Sequence, residues 1–311
     1  MRGVGQLLMK NVYLSIDPTH RIWMSDKPQY MPCVELGEVM RSASIAVVQE
    51  SDDPISYPVG DYFVCFGGCC EYFLGIPGVN VLYKADGVGG IVPLTAELSL
   101  CSLIIGLTAW HGLNKILCPD SKSVVCVSGA AGAVGSLVGQ LAKLKGATVI
   151  GIAGGEEKCN WLKQDLKFDH VINYKEPTGG SVQHALAAIV SNVGKITHYF
   201  DNVGGETSDA VLLHMELNSK YALCGSISEY DDNWSGQKNF NMILMRRICV
   251  QGFICTDHVD ELNQARTELA QLAAEGKVKY KEDIREGLEN YPSTVRLLMS
   301  GSNTGKLMLK L

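Results

Sequence analysis

The chain has 311 residues, of which 46% are hydrophobic and 19% are charged, and its formal net charge is −6. This is the composition of a globular protein, and the length is sufficient for two domains that each bury a core. The acidic balance argues against a nucleic-acid-binding protein and against a protein that binds anionic membranes through a basic surface.

Cysteine usage and the apolar runs indicate the compartment. The 11 cysteines are odd in number and scattered singly, apart from the adjacent Cys69 and Cys70. Reduced thiols fit this pattern better than a disulfide framework does. The N-terminus has no apolar run of signal-peptide quality, and the run around Ile104 is too short to span a bilayer. We therefore predict a soluble cytoplasmic protein with neither a membrane nor a nucleic-acid partner.

The first part of the chain predicts a strand-rich unit. Between residues 11 and 83, Pro and Gly separate short apolar runs, which are VYLSID, SIAVVQE, DYFVCFGG, EYFLGIP and VNVLYKAD. Short strands at such close spacing indicate an antiparallel, barrel-like unit.

From Leu98 onward the pattern changes to strands that alternate with helices. Residues 99–116 predict a pair of helices. The predicted strands that follow are SVVCVSG, ATVIGIAG, HVINY, THYFDNVGG, KYALCGS and CVQGFIC, and the predicted helices between them are Val134–Leu144, Glu157–Asp165, Ser181–Ser191 and Ser208–Met215. This alternation predicts an α/β fold whose parallel sheet carries helices on both faces.

The last part of the chain returns to strands. An amphipathic helix, HVDELNQARTELAQLAAEGK, ends at Gly276, and the strand-like segments VKYKEDI and GKLMLKL follow it. Since an α/β core is flanked by strand-rich ends, the sequence predicts one domain inserted into another. We place the outer domain at residues 1–98 and 277–311, and the inserted domain at residues 99–276.

A glycine-rich turn joins the first strand of the α/β region to its helix. Gly129, Gly132 and Gly135 follow the strand Val124–Val127 and lead into the helix Val134–Leu144 in the form G-x-x-G-x-x-G. Such glycines let the backbone approach a pyrophosphate, and the N-terminus of the helix offers free N–H groups to that anion. A turn that merely packs a helix against a strand is the alternative. Because strand, helix and next strand follow in the right order, the pattern favours a bound dinucleotide.

The end of the next strand discriminates between NADPH and NADH, because an acidic residue there would hold the ribose 2′-hydroxyl of NADH. Here the strand ends in Gly154 and Gly155, and Lys158 follows. A lysine attracts the 2′-phosphate of NADPH, whereas a carboxylate repels it. Glu156 and Glu157 could in principle serve a 2′-hydroxyl, but their place at the start of the next helix suits stabilisation of the helix dipole. The sequence therefore favours NADPH.

Three other patterns do not predict sites. GSNTGKL at 301–307 is similar to a phosphate-binding loop, but only three residues separate its glycines and no Ser or Thr follows Lys306. CFGGCC at 65–70 lacks a second Cys or His pair at the spacing of a zinc site. His111, beside Trp110, is typical of a packed helical residue. We predict no bound metal.

Several stretches of the chain, taken together, resemble the zinc-independent medium-chain dehydrogenase/reductases. They are VYLSIDP, GLTAWHGL, VSGAAGAVGSLVGQLAKLKG, GIAGGEEKC, VINYK, YFDNVGG, LCGSISEY, QGFI, GLEN and GSNTGK. These stretches cover nearly the whole chain in order. Within the family, the chain is most similar to the group of leukotriene B4 dehydrogenase, prostaglandin reductase, alkenal reductase and curcumin reductase.

The resemblance implies both an architecture and an activity. The architecture is a GroES-like, strand-rich catalytic domain built from both chain ends, with a Rossmann doubly wound parallel sheet inserted between them. The activity is the NADPH-dependent, zinc-independent reduction of the carbon–carbon double bond of α,β-unsaturated ketones or aldehydes, such as 15-oxo-prostaglandins, alkenals or curcuminoid-like enones. Related enzymes are often homodimers, so the resemblance implies a homodimer here as well.

Carried over by motif, the resemblance also implies cofactor-binding residues. Those that would meet the pyrophosphate belong to the glycine turn and are Gly132, Ala133 and Val134, and Gly135 of the same turn is a further cofactor-binding residue. Lys158 and Tyr174 would hold the 2′-phosphate, and Gly155 would leave room for it at the strand end. The residues that would line the ribose and nicotinamide are Asn202, Cys224 and Phe253, and Asn303 would close the site from the C-terminal segment.

The implied chemistry needs a hydrogen-bond donor. Hydride transfer to the β-carbon of an enone builds negative charge on the carbonyl oxygen, as an enolate. Losing a donor aimed at such an oxygen typically costs about 2.7–4 kcal/mol. Tyr230 is the candidate catalytic residue, either as this donor or as a group that orients the cofactor ribose.

Two departures from the family bear on function. By resemblance, a longer segment precedes VYLSIDP and supplies the first strands of the catalytic domain; here 11 residues precede it, which predicts a fragment or a mis-set start. The family's Asp-Pro-Tyr-Met-Arg reads DPTHR at 17–21, so Thr19 replaces a tyrosine that would face substrate, and Arg41 and Ser42 replace two glycines. The substrate domain is thus altered more than the cofactor domain. Two alternatives follow: an NADPH:quinone reductase of the same fold, and a catalytically impaired NADPH-binding protein.

Overall fold

The computed structural model describes residues 5–177, 180–231 and 236–311. Its internal contacts divide the chain into two units, one formed by Met1–Ser102 with Lys281–Leu311 and the other by Leu103–Tyr280. The boundaries predicted from the sequence, after residues 98 and 276, each lie four residues before these divisions.

Both units contain strands and helices. The strands, in chain order, are β1 (Leu7–Ser15), β2 (Ser44–Glu50), β3 (Tyr62–Cys65), β4 (Tyr72–Gly75), β5 (Val81–Lys84), β6 (Val124–Val127), β7 (Thr148–Ala153), β8 (His170–Asn173), β9 (Ile196–Asp201), β10 (Met215–Leu223), β11 (Cys249–Gly252), β12 (Glu282–Glu286) and β13 (Lys306–Lys310). The α-helices are α1 (Thr19–Trp23), α2 (Gly106–His111), α3 (Ala133–Leu144), α4 (Glu156–Asn160), α5 (Val182–Val193), α6 (Gly205–His214), α7 (Asn241–Arg246), α8 (Leu262–Ala274) and α9 (Tyr291–Met299). Wider helical turns continue α2 over Gly112–Leu117 and α4 over Trp161–Asp165. A single irregular helical turn lies at Gly87–Gly90, and short 3₁₀ turns lie at Leu94–Glu97, Ile227–Glu229, Cys255–Glu261 and Leu288–Asn290.

The first unit is built on a seven-stranded sheet in the order β12-β13-β1-β2-β3-β5, with β4 also paired to β1. All its pairs are antiparallel except β12 with β13. Alternate residues of β1 face the core, where Leu7 and Met9 pack with Val48 and Phe63. Each short run predicted between residues 11 and 83 coincides with or overlaps a strand, and the predicted strand-rich unit is confirmed.

The helix α9 was not predicted from the sequence. Tyr291, Val295 and Leu298 nevertheless lie at helical spacing, and they pack against Leu14 and Leu309 of the sheet. The helix has nine residues, and it stands between two strands in a region read as strand-rich. Its apolar stripe is the signal that could have identified it.

The second unit is built on a six-stranded sheet in the order β11-β10-β9-β6-β7-β8, and all its strand pairs are parallel. All four residues of β6, VVCV, are buried, as expected of a strand that is covered on both faces. The predicted doubly wound parallel sheet is confirmed. The strand order reverses between β6 and β9, where such sheets bind ligands at the carboxyl ends of their strands. Within the described ranges, none of the helices has the length and apolar character needed to cross a membrane.

Candidate cofactor site

The glycine turn lies at the carboxyl end of β6. Gly129 has a φ of +56°, in the left-handed region that glycine adopts without steric cost. The N–H of Gly132 donates to the carbonyl of Gly129 at 2.9 Å, and the N–H of Ala130 donates to the carbonyl of Ile152 on β7 at 3.0 Å. A Cβ at Gly135 would lie 2.9 Å from Cα of Ala130. The first glycine therefore permits the turn, and the third permits the close approach of α3 to it.

The N-terminus of α3 follows the turn directly. Gly132 precedes it in an extended conformation and offers no side-chain cap, and the first turn of the helix carries no acidic residue. The first N–H groups of a helix have no partner within it, and the positive end of the helix dipole lies beside them. The backbone N–H groups of Ala133, Val134 and Gly135 are thus suited to an anion. The N–H of Gly132 is used inside the turn, so this residue contributes space and not a donor.

The end of β7 is joined to the end of β8. The N–H of Tyr174 donates to the carbonyl of Ala153 at 3.0 Å, and the N–H of Gly155 donates to Oδ1 of Asn173 at 2.8 Å. Gly155 has a φ of +94°, which a residue with a side chain rarely adopts. Tyr174 therefore lies beside the strand end at which the sequence predicts the 2′-phosphate.

Lys158 lies in α4, immediately after this strand end. Burial lowers the pKa of Lys158, and the positive charge of Lys175 lowers it further, whereas Glu157 raises it. The influence of Lys175 means that two cations share the region next to Tyr174. A phosphate dianion would relieve the repulsion between the two ammonium groups. The charge distribution therefore suits a 2′-phosphate better than a 2′-hydroxyl.

A buried carboxylate lies at the end of β9. Asp201 is fully buried. The donors to its Oδ1 are Ser128 Oγ (2.6 Å), Tyr199 Oη (2.7 Å) and the N–H groups of Val203 (2.9 Å) and Gly204 (3.1 Å), and the donors to its Oδ2 are Tyr221 Oη (2.6 Å) and Ser208 Oγ. These hydrogen bonds offset the cost of burying the charge. Burial and the charge of Asp201 raise the pKa of both tyrosines, so both remain protonated donors.

Asn202 is held next to the glycine turn. Its N–H donates to Oγ of Ser128 at 2.8 Å, and its Nδ2 donates to the carbonyl of Ser128 at 2.7 Å. A Cβ at Gly129 would lie 3.3 Å from Cβ of Asn202, so the two loops are in contact. Neither Ser128 nor Asp201 was predicted as a site residue. The available signal was a carboxylate placed directly between an apolar strand and Asn202.

Cys224 and Tyr230 lie in the segment after β10. The N–H groups of Cys224 and Gly225 donate to the carbonyl of Asp201 at 2.9 and 3.1 Å. The N–H of Ser226 donates to Oη of Tyr230 at 3.3 Å. Burial raises the pKa of the Cys224 thiol, so this residue lines the loop as a neutral side chain and not as a nucleophile. The Tyr230 hydroxyl thus lies against the backbone at the end of β10.

Phe253 follows β11 and packs against α2. Its ring centroid lies 5.6 Å from that of His111 and 6.1 Å from that of Phe200. His111 is buried; its Nδ1 lies 2.6 Å from Oε2 of Glu261, and its ring stacks on His258 with a centroid separation of 3.6 Å. These contacts agree with the interpretation of His111 as a packed residue.

The predicted cofactor residues of the second unit share one feature: each follows a strand of the parallel sheet. In the order of strands β6 to β11, they are the Gly132–Gly135 turn, Gly155 with Lys158, Tyr174, Asn202, Cys224 and Phe253. Because the carboxyl ends of parallel strands meet at one edge of a sheet, the fold brings these residues to the same edge.

Asn303 belongs to the first unit, where it is buried and its Nδ2 donates to the carbonyl of Gly305 at 2.9 Å. The lysine of the same GSNTGKL segment is also buried. Nζ of Lys306 lies 2.6 Å from Oδ1 of Asp17 and donates to the carbonyl of Ile16 at 2.9 Å. The ammonium group that would meet a phosphate in a phosphate-binding loop is therefore occupied within the fold.

Two of the altered positions of the substrate domain, Thr19 and Arg41, have local partners. Oγ1 of Thr19 is hydrogen-bonded to the hydroxyl of Tyr30, which also accepts from Nε1 of Trp23 at 3.1 Å. The guanidinium of Arg41 lies 5.4 Å from the ring centroid of Trp23 and donates to the carbonyl of Pro32 at 3.2 Å. A phenol from Tyr30 therefore adjoins the threonine that replaces the family's tyrosine.

Two protein families match the chain. The family described as “N-terminal domain of oxidoreductase” matches residues 2–79, and the family described as “Zinc-binding dehydrogenase” matches residues 133–274. The second description names zinc, but among residues 5–177, 180–231 and 236–311 no group of three or more His, Cys, Asp or Glu side chains is arranged to hold a metal ion. The described residues do not fit a zinc site.

Relatives match over almost the whole chain. The NADPH-dependent curcumin reductase of Escherichia coli (strain K12) is 34% identical over 316 residues, which cover 99% of this chain and 88% of that protein. The NADP(+)-dependent 2-alkenal reductase of Nicotiana tabacum is 35% identical over 308 residues, which cover 98% of this chain and 87% of that protein. Among solved structures, CurA from Vibrio vulnificus in complex with NADPH has a TM-score of 0.89 and 34% identity, over 99% of this chain and 90% of that chain. The chain belongs to the zinc-independent medium-chain dehydrogenase/reductases, in the group of the curcumin, alkenal and prostaglandin reductases.

Proposed function

We propose that this protein is an NADPH-dependent reductase of the carbon–carbon double bond of α,β-unsaturated ketones and aldehydes. The observation that carries this proposal is the convergence of anion-binding groups at one edge of the parallel sheet, where the N-terminus of α3 follows β6, Lys158 follows β7 and Tyr174 follows β8. Relatives that are 34% and 35% identical to the chain are named as reductases of curcumin and of 2-alkenals.

The residues of the second unit divide the cofactor between them. The N–H groups of Ala133, Val134 and Gly135 bind the pyrophosphate, and Gly132 leaves room for it. Lys158 and Tyr174 bind the 2′-phosphate, next to Gly155, which carries no side chain that would obstruct it. Asn202, Cys224 and Phe253 contact the ribose and nicotinamide. Bound NADPH supplies the hydride that adds to the β-carbon of the enone.

Tyr230 is the residue we assign to the reacting atoms. Its hydroxyl accepts the N–H of Ser226 at 3.3 Å, and a phenol that accepts a hydrogen bond has its own proton to donate. Donation to the carbonyl oxygen would stabilise the enolate that forms during hydride transfer. Orientation of the cofactor ribose is the second role that fits this position.

An absorbance assay tests the proposal. Loss of NADPH absorbance is followed with alkenals, 15-oxo-prostaglandin-like ketones and curcuminoids, beside parallel reactions with NADH and with a quinone. Turnover of enones with NADPH, and little turnover with NADH, is the expected result. Turnover of the quinone alone would instead indicate the quinone reductase. Binding of NADPH without turnover of any acceptor would indicate the catalytically impaired protein.

A homodimer formed through β11 is the assembly we propose. β11 is an edge strand of the parallel sheet, and all four of its residues are exposed. On α7, which precedes it, Leu244 and Met245 expose 73% and 57% of their surface. Two copies related by a two-fold axis can pair their edge strands and cover both side chains. Light scattering should therefore report the mass of a dimer. The double variant Leu244→Glu with Val250→Lys should have the mass of a monomer. The control variant Leu36→Glu, which changes an exposed residue of the first unit, should keep the mass of the dimer.

The cytoplasm is the compartment we propose. All 11 cysteines lie in the described part of the chain, and all are free thiols. Disulfides form in oxidising compartments and are rare in the reducing cytoplasm. Fractionation of cells that express the tagged protein should recover it with cytoplasmic markers.

A further inference from the structure

A buried polar network in the second unit has no part in the roles assigned above. Its centre is the Asp201 carboxylate at the end of β9, next to the point where the strand order reverses. Three of its donors come from other elements, which are the end of β6, β10 and α6, through Ser128, Tyr221 and Ser208 respectively. One carboxylate therefore joins three elements that surround the predicted cofactor site.

The two oxygens of Asp201 serve different partners. Oδ1 accepts from Ser128, whose own oxygen and carbonyl both bind Asn202. Oδ2 accepts from Ser208, whose hydroxyl also contacts Oη of Tyr199 at 3.1 Å. The two serines thus donate to the same carboxylate, but only Ser128 has described hydrogen bonds to Asn202. Ser208 is for this reason a matched comparison for Ser128.

The proton of Ser128 decides how the backbone N–H of Asn202 is held, and the carbonyl of Ser128 holds the Asn202 side chain. A serine hydroxyl has one proton and two lone pairs. The proton of Ser128 points to Asp201 at 2.6 Å, so a lone pair of its oxygen faces the N–H of Asn202 at 2.8 Å. Nδ2 of Asn202 then donates to the carbonyl of Ser128 at 2.7 Å. The carboxamide oxygen of Asn202 consequently lies on the side of the amide that faces away from Ser128.

We infer that Ser128, oriented by Asp201, is a positioning residue that presets the carboxamide of Asn202 for the nicotinamide–ribose half of the cofactor. This inference rests on the proposed function, in which Asn202 contacts that half. The adenosine half is bound at the ends of β7 and β8 by Lys158 and Tyr174, away from the network. Loss of the Ser128 hydroxyl should therefore affect one half of the cofactor and spare the other.

Calorimetric titration of the full chain with two probes tests this division. NADPH engages both halves of the site, whereas adenosine 2′,5′-bisphosphate retains the 2′-phosphate and lacks the nicotinamide riboside. For Ser128→Ala, we expect the dissociation constant of NADPH to rise about tenfold, since a single buried hydrogen bond is removed. The dissociation constant of the bisphosphate should change by less than about twofold. For Ser208→Ala, which removes an equivalent donor from Asp201, both constants should change by less than about twofold.

A double-mutant cycle separates positioning from a general loss of structure. Asn202→Ala should weaken NADPH binding as Ser128→Ala does. The double variant should bind NADPH no more weakly than Asn202→Ala alone, because the Ser128 hydroxyl acts on the cofactor only through Asn202. Ser128→Thr, which keeps the hydroxyl, should restore NADPH binding. If Ser128→Ala does not fold, Ser128→Cys replaces it, with a weaker donor of similar size and the same expected direction.

Three results would overturn the inference while leaving the proposed function intact. These are an unchanged NADPH constant in Ser128→Ala, equal weakening by Ser128→Ala and Ser208→Ala, and equal weakening of NADPH and the bisphosphate. Wild-type protein that binds neither probe would instead contradict the proposed function itself, and the inference with it.

Discussion

The ring of Tyr174 fills the space that a side chain at Gly154 would need. A Cβ placed on Gly154 would lie 2.6 Å from Cζ and 2.7 Å from Oη of Tyr174. Both distances are far below van der Waals contact, so glycine at this position is what allows the phenol to lie over the end of β7. The glycine and the tyrosine are 20 residues apart in sequence and act as a single structural unit.

Replacing Gly154 with alanine should displace Tyr174 and weaken the binding of NADPH more than that of NADH. A hydrogen bond to a charged phosphate contributes about 1.5–3 kcal/mol, so the NADPH dissociation constant should rise at least about tenfold. NADH lacks the 2′-phosphate and should bind with nearly unchanged affinity. Fluorescence titration with both nucleotides provides the comparison. Tyr174→Ala should reproduce the effect, and equal weakening of NADH by Gly154→Ala would point to a distorted β7 and not to a displaced phenol.

The ammonium groups of Lys158 and Lys175 should also strengthen the binding of NADPH more than that of NADH. Lys158→Ala should raise the dissociation constant of NADPH about 10- to 100-fold and leave that of NADH within about twofold, because a charge-assisted contact to the 2′-phosphate is removed. Lys175→Ala should act in the same direction. Lys163, which is exposed in the turns that continue α4, supplies the control, since its alanine variant should leave both constants unchanged. Equal rises in the dissociation constants of NADPH and NADH would contradict the assignment of NADPH as the cofactor.

Local rules predicted the parts of the site that depend on one short segment. The glycine turn was predictable because Gly129 and Gly135 satisfy steric needs that the spacing itself displays. The absence of a carboxylate at Gly154 and Gly155 likewise indicated the cofactor. In each case the residues that interact lie within a few positions of one another, so a periodic or spaced pattern carries the information.

The rest of the site depends on contacts between distant segments. Ser128 and Tyr221 reach Asp201 from separate strands, and neither residue is distinctive in its own segment. The hydrogen bond between Thr19 and Tyr30 could not be predicted for the same reason, although it places a phenol beside the position where the family's tyrosine is missing. Strand order, which brings such residues together, is set by the packing of the whole sheet and not by any single segment.

Buried His20 should make stability depend on pH. Burial lowers the pKa of His20 to about 4; the charge of Asp17 opposes this shift, and the charge of Lys306 adds to it. Within the described residues, Nε2 of His20 has no hydrogen-bond partner. Its pKa in the unfolded chain is about 6.5. The unfolded state therefore binds a proton first, and stability that is complete above pH 6.5 is lost as the pH falls toward 4, by about 2–3 kcal/mol.

Urea unfolding between pH 7.5 and pH 4.5 measures this loss. His20→Met, which introduces the residue found in the family, should unfold with a flatter pH dependence than the wild type over that range. Burial raises the pKa of Asp17, but Lys306 and His20 outweigh it and the pKa is lowered overall, so the contribution of this carboxylate is lost only below about pH 4. The measured range therefore excludes the contribution of Asp17. Burial also lowers the pKa of His198 and of His214, but both histidines are present in the two proteins, so the difference between the curves reports His20. Parallel curves for the two proteins would show that His20 does not carry the dependence.

Tyr230→Phe distinguishes the two roles proposed for the phenol. If the hydroxyl donates to the forming enolate, kcat for an enone should fall about 100-fold or more, while the NADPH dissociation constant stays within about twofold. We expect this outcome, because the hydroxyl is anchored to the backbone at the end of β10 by the N–H of Ser226. Tyr72→Phe, an exposed tyrosine on β4, should leave both quantities unchanged. If the rise in the NADPH dissociation constant instead accounts for the whole loss of kcat/KM, Tyr230 orients the ribose. A different residue would then donate to the enolate.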